Sequence, residues 1–431
     1  MVEGHAGSPG GRGGFNTTFE LELGDCPRTA KRARYIGETL ERTKSREAAS
    51  VRMNEFDFDR VIDRSGTASH KWGRYEGRDV IPLWVADMDF RSAPPIIEAL
   101  RERASHGVFG YTDAPAELVD AVRASLRADY QWDVSPEWIV WLPGLVSGLN
   151  VLCRAVGDAG DDVITLTPIY PPFLSAPVFA ERAVVKVPLV LEGGSWRPDR
   201  EALERAIGPR AKLLLLCSPH NPVGRVWSEA ELAGLAAIAQ RYDLIIGSDE
   251  IHAGLVLDED KPHIPIAILS PEIGGRTVTL MAPSKTFNIP GLGCSFAVIS
   301  NPELRRAFCQ AMAGIVPHVN LFGFVAAEAA YRKGSPWRRE LLAYLRGNRD
   351  LLESGIEAIP GLRMTHVEAT YLAWIDARET SIARPAEFFE TVGVGLSDGA
   401  DFDGAGFVRL NFGCRRSLLT EALERMRRAL S

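Results

Sequence analysis

Between residues 138 and 300, seven short apolar runs follow one another, at 138–142, 163–166, 183–187, 212–217, 244–247, 277–281 and 294–299. They are continuously apolar rather than alternating, which marks strands covered on both faces. Helical spacing fills at least three of the gaps, at 148–156, 200–207 and 229–242. Strands alternating with helices predict an α/β chain built on a doubly wound, mostly parallel sheet. Right-handed crossovers bring the C-terminal strand ends to one side, and open sheets of this kind take their ligands in the crevice outside those ends.

One strand end carries a lysine. The run 277–281 leads into Ala282-Pro283-Ser284-Lys285, and a second apolar run follows at once. An ammonium in a dry interior costs several kcal/mol unless it is paired or loses its proton. On this stretch alone two readings stay open. Lys285 is a loop lysine facing solvent, or it forms an imine with an aldehyde cofactor, of which pyridoxal phosphate is the common case.

Four more strand ends are unusual. Pro143-Gly144-Leu145-Val146 opens a helix after the first run. Free N–H groups and the positive dipole end at such a turn suit a phosphate, though many strand–helix turns carry glycine. Tyr170, ahead of two prolines, is placed to stack on a flat ring or simply to form a wall. In Ser218-Pro219-His220-Asn221-Pro222-Val223-Gly224 the Asn-Pro pair fixes a turn, and its amide can hydrogen-bond a phenolic oxygen. Asp249 directly ends a buried run and needs a cation to stay charged; a protonated pyridine nitrogen is one. His252, three residues on, reaches a ring oxygen or caps the loop. Phosphate turn, aromatic, amide, acid and lysine fall in order along one sheet edge.

The rest of the chain sets bounds. Of 431 residues 46% are hydrophobic and 24% charged, room for two or three packed units. A net charge of −7 points away from nucleic acid and anionic membranes as main partners. The six cysteines, Cys26, Cys153, Cys217, Cys294, Cys309 and Cys414, show no zinc spacing, and no metal is expected. Free thiols in apolar runs and the lack of a secretory-type apolar leader fit a reducing cytoplasm. Residues 1–52, Gly/Ser-rich and then mixed in charge, are expected to form a flexible extension, with a basic regulatory arm as the lesser alternative. Residues 53–100 are expected to open a smaller unit, 101–335 to form the large cofactor-binding one, and 336–431 to complete the smaller one. An apolar strand is expected over 81–90, ending in Asp87 and Asp89. Helices are expected from Pro94, over 117–130, within 301–335, over 336–358 and over 418–429.

Taken together these residues resemble the fold-type I pyridoxal-phosphate enzymes of the class I/II aminotransferase superfamily. Asn221-Pro222-x-Gly224, Asp249-x-x-His252 and Ser284-Lys285-Thr286 match its central motifs. The cystathionine β-lyase-like C–S lyase branch, the MalY/PatB type, is closer still. It is matched by Trp84-Val85-Ala86-Asp87-Met88-Asp89-Phe90, Gly110-Tyr111-Thr112, Tyr170-Pro171-Pro172-Phe173, Ser248-Asp249-Glu250-Ile251-His252 and Val408-Arg409-Leu410-Asn411-Phe412-Gly413. The resemblance covers about 54–431 and implies a large, seven-stranded, mostly parallel sheet domain with a smaller α+β domain.

By the same resemblance Lys285 is the Schiff-base lysine and proton shuttle. Asp249 pairs with the pyridine nitrogen, Asn221 with the ring oxygen with His252 beside it, and Tyr170 stacks on the ring. Gly144, Leu145, Val146 and Ser284 hold the phosphate. Tyr111 reaches the site of a neighbouring subunit, which implies a homodimer. Arg409 clamps the substrate carboxylate, a bidentate task, and Ala86, Tyr170 and Asn221 line the substrate. Two departures stand out: Ala282 replaces a hydroxyl common in relatives, and no second arginine follows the lysine in 288–293.

The implied enzyme is a C–S β-lyase that releases pyruvate, ammonia and a thiol or sulfenate from cystathionine, another S-substituted cysteine or an S-oxide, a thiol-histidine sulfoxide among them. An aminotransferase using the same residues is the alternative. A role in binding a regulatory partner is a third.

Overall fold

The computed structural model describes residues 56–431. The expected extension, 1–52, lies outside the described residues. Seven strands make the central sheet: β1 (Ile139–Leu142), β2 (Asp162–Thr167), β3 (Ala183–Pro188), β4 (Ala211–Cys217), β5 (Ile245–Asp249), β6 (Thr277–Met281) and β7 (Ser295–Val298). Their order across the sheet is β1-β7-β6-β5-β4-β2-β3. All neighbouring pairs are parallel except those of β7, which runs against both β1 and β6.

The apolar runs explain why the sheet is central. In β4, Leu213 and Leu215 pack with the helix Leu145–Ala155 and with Leu304 and Phe308 of the helix Pro302–Met312. Leu214 and Leu216 point the other way, onto Leu232 and Leu235 of the helix Glu229–Arg241. All four leucines are fully buried, each worth about 1.5–3 kcal/mol. Close packing demands Gly247 in β5, where a Cβ would stand 2.3 Å from Leu152 of the crossing helix.

A second, four-stranded antiparallel sheet is built from β8 (Arg363–Met364), β9 (Leu372–Asp376), β10 (Ser397–Asp398) and β11 (Phe407–Asn411), in the order β8-β9-β11-β10. The long helix Ser335–Glu357 buries Leu341, Leu345, Leu352 and Ile356 in the same core as β9 and β11. The closing helix Arg416–Ala429 adds Leu419 and Met426 to it.

The strand expected over 81–90 is not there. Only Ile81–Pro82 pairs as a strand, with Val394–Gly395. Beyond it the backbone is bound by side chains from distant parts of the chain. Trp84 O accepts from Arg409 and Ser397, Val85 O and Asp87 O accept from Asn411 Nδ2, and Met88 O and Phe90 O accept from Asn288 Nδ2. Side-chain donors from distant segments thus take the place of a neighbouring strand along this stretch.

Candidate active site

Four neighbouring strand ends deliver four side chains to one crevice of about 220 Å³. Tyr170 follows β2, Asn221 follows β4, Asp249 is the last residue of β5, and Lys285 lies four residues past β6. The antiparallel β7 begins at this edge, so Cys294 and Ser295 line the same wall. Gly293 just before it takes φ +58°, with Pro143 O 3.2 Å from where a Cβ would sit, a turn that favours glycine. Opposite, Val85 and Ala86 supply the wall, and Arg409 reaches in from β11.

The crevice holds buried charge with little compensation. Lys285 Nζ donates to Ala86 O at 2.6 Å. Burial, then the positive charge of Arg409, lowers its pKa to about 8, against the pull of Asp87 and Asp249. The Asp249 carboxylate accepts a single hydrogen bond, from Ile251 N at 3.1 Å. Burial drives its carboxyl up to about 7, and the charge of Glu250 adds to this. Burial, with Lys285 and Arg409 nearby, lowers His252 to about 3, so its ring is neutral at pH 7. Arg409 donates to Asn221 Oδ1 at 3.1 Å and to Trp84 O at 3.0 Å, and its guanidinium lies 4.6 Å from the Phe402 ring centre. Burial lowers its pKa to about 10, which leaves it charged at neutral pH.

The helix Leu145–Ala155 begins at this crevice behind Gly144, with no capping side chain. Other helices, such as Ala116–Tyr130 and Arg416–Ala429, also lack a side-chain cap; what sets this one apart is that its uncapped start lines the crevice. Gly144, Leu145, Val146 and Ser284 all line the crevice. Two buried polar atoms of the lining, His252 Nδ1 and Arg409 Nε, have no hydrogen-bond partner. A bare helix N-terminus, a buried carboxyl, a depressed amine and an unfilled guanidinium suit a ligand with a phosphate, a cationic ring nitrogen, an aldehyde and a carboxylate-bearing co-substrate. Pyridoxal phosphate with an amino acid fits that set.

Of the residues singled out from the sequence, Ala86, Gly144, Leu145, Val146, Tyr170, Asn221, Asp249, His252, Ser284, Lys285 and Arg409 share this crevice. Tyr111 does not: it stands fully exposed on the loop between the helices Pro94–His106 and Ala116–Tyr130. Sequence reasoning missed the residues that hold the 84–90 wall. Tyr371 donates to Ala86 O at 3.0 Å, beside the lysine. Asn288, three residues past Lys285, ties the lysine turn to Met88 and Phe90. Asn411 had a faint signal, as a polar residue inside an apolar strand. Tyr371 and Ser397 had none.

Fold and crevice together define a fold-type I pyridoxal-phosphate enzyme. Residues 78–426 match the family model described as aminotransferase class I and II, so the chain belongs to that family. Within it the chain belongs to the branch of cystathionine beta-lyase PatB from Bacillus subtilis. It is 37% identical to that protein over 388 residues, which is 87% of this chain and 100% of PatB. The crystal structure of OvoB superposes with a TM-score of 0.86 at 48% identity, covering 87% of this chain and 99% of that one. Cystalysin from Treponema denticola, whose crystal structure contains pyridoxal 5'-phosphate, gives 0.84 at 33% identity, covering 87% and 98%.

Proposed function

We propose that this protein is a pyridoxal-phosphate-dependent C–S β-lyase that cleaves the Cβ–S bond of an S-substituted cysteine to give pyruvate, ammonia and a thiol, or a sulfenate where the substrate is an S-oxide. The observation that carries the reading is the convergence of Lys285, Asp249 and Arg409 on one crevice, each with its charge poorly compensated by protein. The likeness to PatB, a cystathionine beta-lyase, supports the lyase over the transferase.

When bound, the cofactor supplies an electron sink for the carbanion left by loss of the α-proton. The bare N–H groups behind Gly144, with Ser284, would hold its phosphate. Asp249, at the edge of ionisation when alone, gains a cation partner and becomes a fixed anion. Lys285, with its proton affinity lowered by burial and Arg409, is poised to take the α-proton near neutral pH and pass a proton to the departing sulfur. Arg409 holds the substrate carboxylate, kept in register by Asn221, Ser397 and Trp84 O. Among the described residues it is the sole arginine in the lining, which favours a substrate anchored by one carboxylate. Val85 and Ala86 exclude water from one side.

Two further readings belong to this proposal. Tyr111, Phe109 and Val108 are exposed on one loop, and they support a homodimer in which Tyr111 completes the partner's site. No described helix is long and apolar enough to cross a membrane, and four of the five described cysteines are buried free thiols, in keeping with a reducing cytoplasm. The deciding experiment supplies an S-substituted cysteine without a keto acid. Pyruvate and thiol should appear together. Amino-group transfer that needs a keto acceptor and releases no thiol reverses the assignment to the aminotransferase, which membership of the class I and II family also fits.

A further inference from the structure

Behind the crevice lies a second pair of buried ionisable groups that the proposed chemistry does not use. Glu250, the residue after Asp249, turns its side chain away from the crevice and is fully buried. One carboxylate oxygen accepts from Ser248 Oγ at 2.8 Å, and the other lies 2.7 Å from His263 Nε2. The imidazole is itself nearly buried and packs edge-on to Tyr130, with ring centres 5.3 Å apart.

Three cavities line up here. His263 lines an outer basin of about 420 Å³ with Tyr130, Arg338, Lys261, Asp258 and Glu259. Glu250 lines a small inner chamber that shares Tyr130 and Arg338 with the basin, and Ile251 and Ala282 with the crevice. The pair thus spans the wall between a solvent-facing basin and the back of the cofactor crevice. Of the other charges in the basin, Arg338 makes two hydrogen bonds of 2.8 Å with Asp129, Lys261 pairs with Glu368 and Asp258, and Arg339 lines the basin without touching Glu250. Arg346, on the far rim of the basin, pairs with Glu259. Tyr130 is held neutral by burial. His263 is therefore the one group in hydrogen-bond contact with Glu250 that can offset its charge.

We propose that Glu250 and His263 are a positioning pair that sets the electrostatic potential at Asp249, the carboxylate lowering it and the imidazole hydrogen-bonded to that carboxylate offsetting it. This rests on the reading of the crevice as a pyridoxal-phosphate site. A pair that only staples the 250–263 loop to β5 would be indifferent to which partner loses its charge. A pair that sets the potential responds with opposite signs. Removing a negative charge lowers the proton affinity of every group in the crevice, and removing a positive one raises it.

The test is a pH titration of the visible absorbance of the cofactor-loaded protein, with thermal melting as a check on folding. Glu250→Gln keeps the shape and should lower the absorbance midpoint by about half a pH unit or more. His263→Gln should raise it by a similar amount, and the double variant should return it to the wild-type value. Shifts of the same sign in both single variants, or no shift, overturn the proposal. Should His263→Gln not fold, Glu250→Gln decides alone: a lowered midpoint supports the proposal, and an unchanged or raised one overturns it. A wild type that takes up no cofactor overturns the crevice reading as well, and is told apart because it has no midpoint to compare.

Discussion

Two clusters of buried charge lie close together in this molecule and behave in opposite ways. In one, Asp89 accepts from Lys71 at 2.8 Å, from Trp72 Nε1 at 2.9 Å and from Arg64 at 2.8 Å, while Arg64 also binds Asp87. Burial alone would raise the Asp89 carboxyl, but Lys71 and these hydrogen bonds outweigh it and hold it below the usual range. In the other, Asp249 and Lys285 sit in one crevice, each pushed towards its neutral form. In the first, Lys71 is fully buried and Asp89 nearly so, while Arg64 and Asp87 are part-exposed at its rim. The difference is whether protein supplies the partner. A charge partnered at hydrogen-bond distance holds the fold together, and one left short of partners is kept for a ligand.

Substitutions sharpen that contrast. Lys285→Ala should have the largest effect, cutting turnover by about 10³–10⁴-fold while the melting temperature holds or rises, since a desolvated amine is lost. A melting temperature that collapses would place Lys285 with the structural cluster. Asp89→Asn should do the reverse. It strands Lys71 without its anion and should cost about 3–5 kcal/mol in urea unfolding.

Asp249→Asn should stabilise the cofactor-free protein at pH 8. Its folded-state pKa lies above the unfolded one, so its contribution is full below about pH 4 and is lost as pH rises through about 7. The variant should gain at most about 2–4 kcal/mol above pH 7 and nothing at pH 4, read from melting across that range. A gain that ignores pH would break the comparison. Arg409→Lys should raise KM by about 10²-fold by losing the planar fork, with a smaller change in kcat. Ser397→Ala, which removes one hydrogen bond behind Arg409, should cost about 1 kcal/mol in kcat/KM, the smallest effect of the set.

The sheet was legible in the sequence because each of its strands is an apolar run of its own, and the seven runs match the seven strands to within a residue or two. Lys285, Asp249, Asn221 and Tyr170 were legible because parallel topology carries strand ends to one edge. The wall at 84–90 was not. Its apolar composition reads as a strand, and the side chains that bind its carbonyls in place of a ladder lie up to 326 residues away, in Asn411 and its companions. The small elements that sequence reading passed over include the hairpin Val190–Glu192 with Ser195–Arg197 and the helix Pro172–Phe179. The helix has almost no polar face, so its periodicity is weak.

The manner in which 84–90 is fastened has an evolutionary corollary. A wall strand in a ladder can be retuned only by respecting register, because a one-residue slip turns every side chain over. This wall is stitched at separate points by the side chains of Asn288, Tyr371, Ser397, Arg409 and Asn411, so its own residues 84–90 share no ladder register. Val85 and Ala86 are then free to vary one at a time without unravelling a sheet. A lineage can reshape this wall of the crevice while the lysine edge opposite stays fixed.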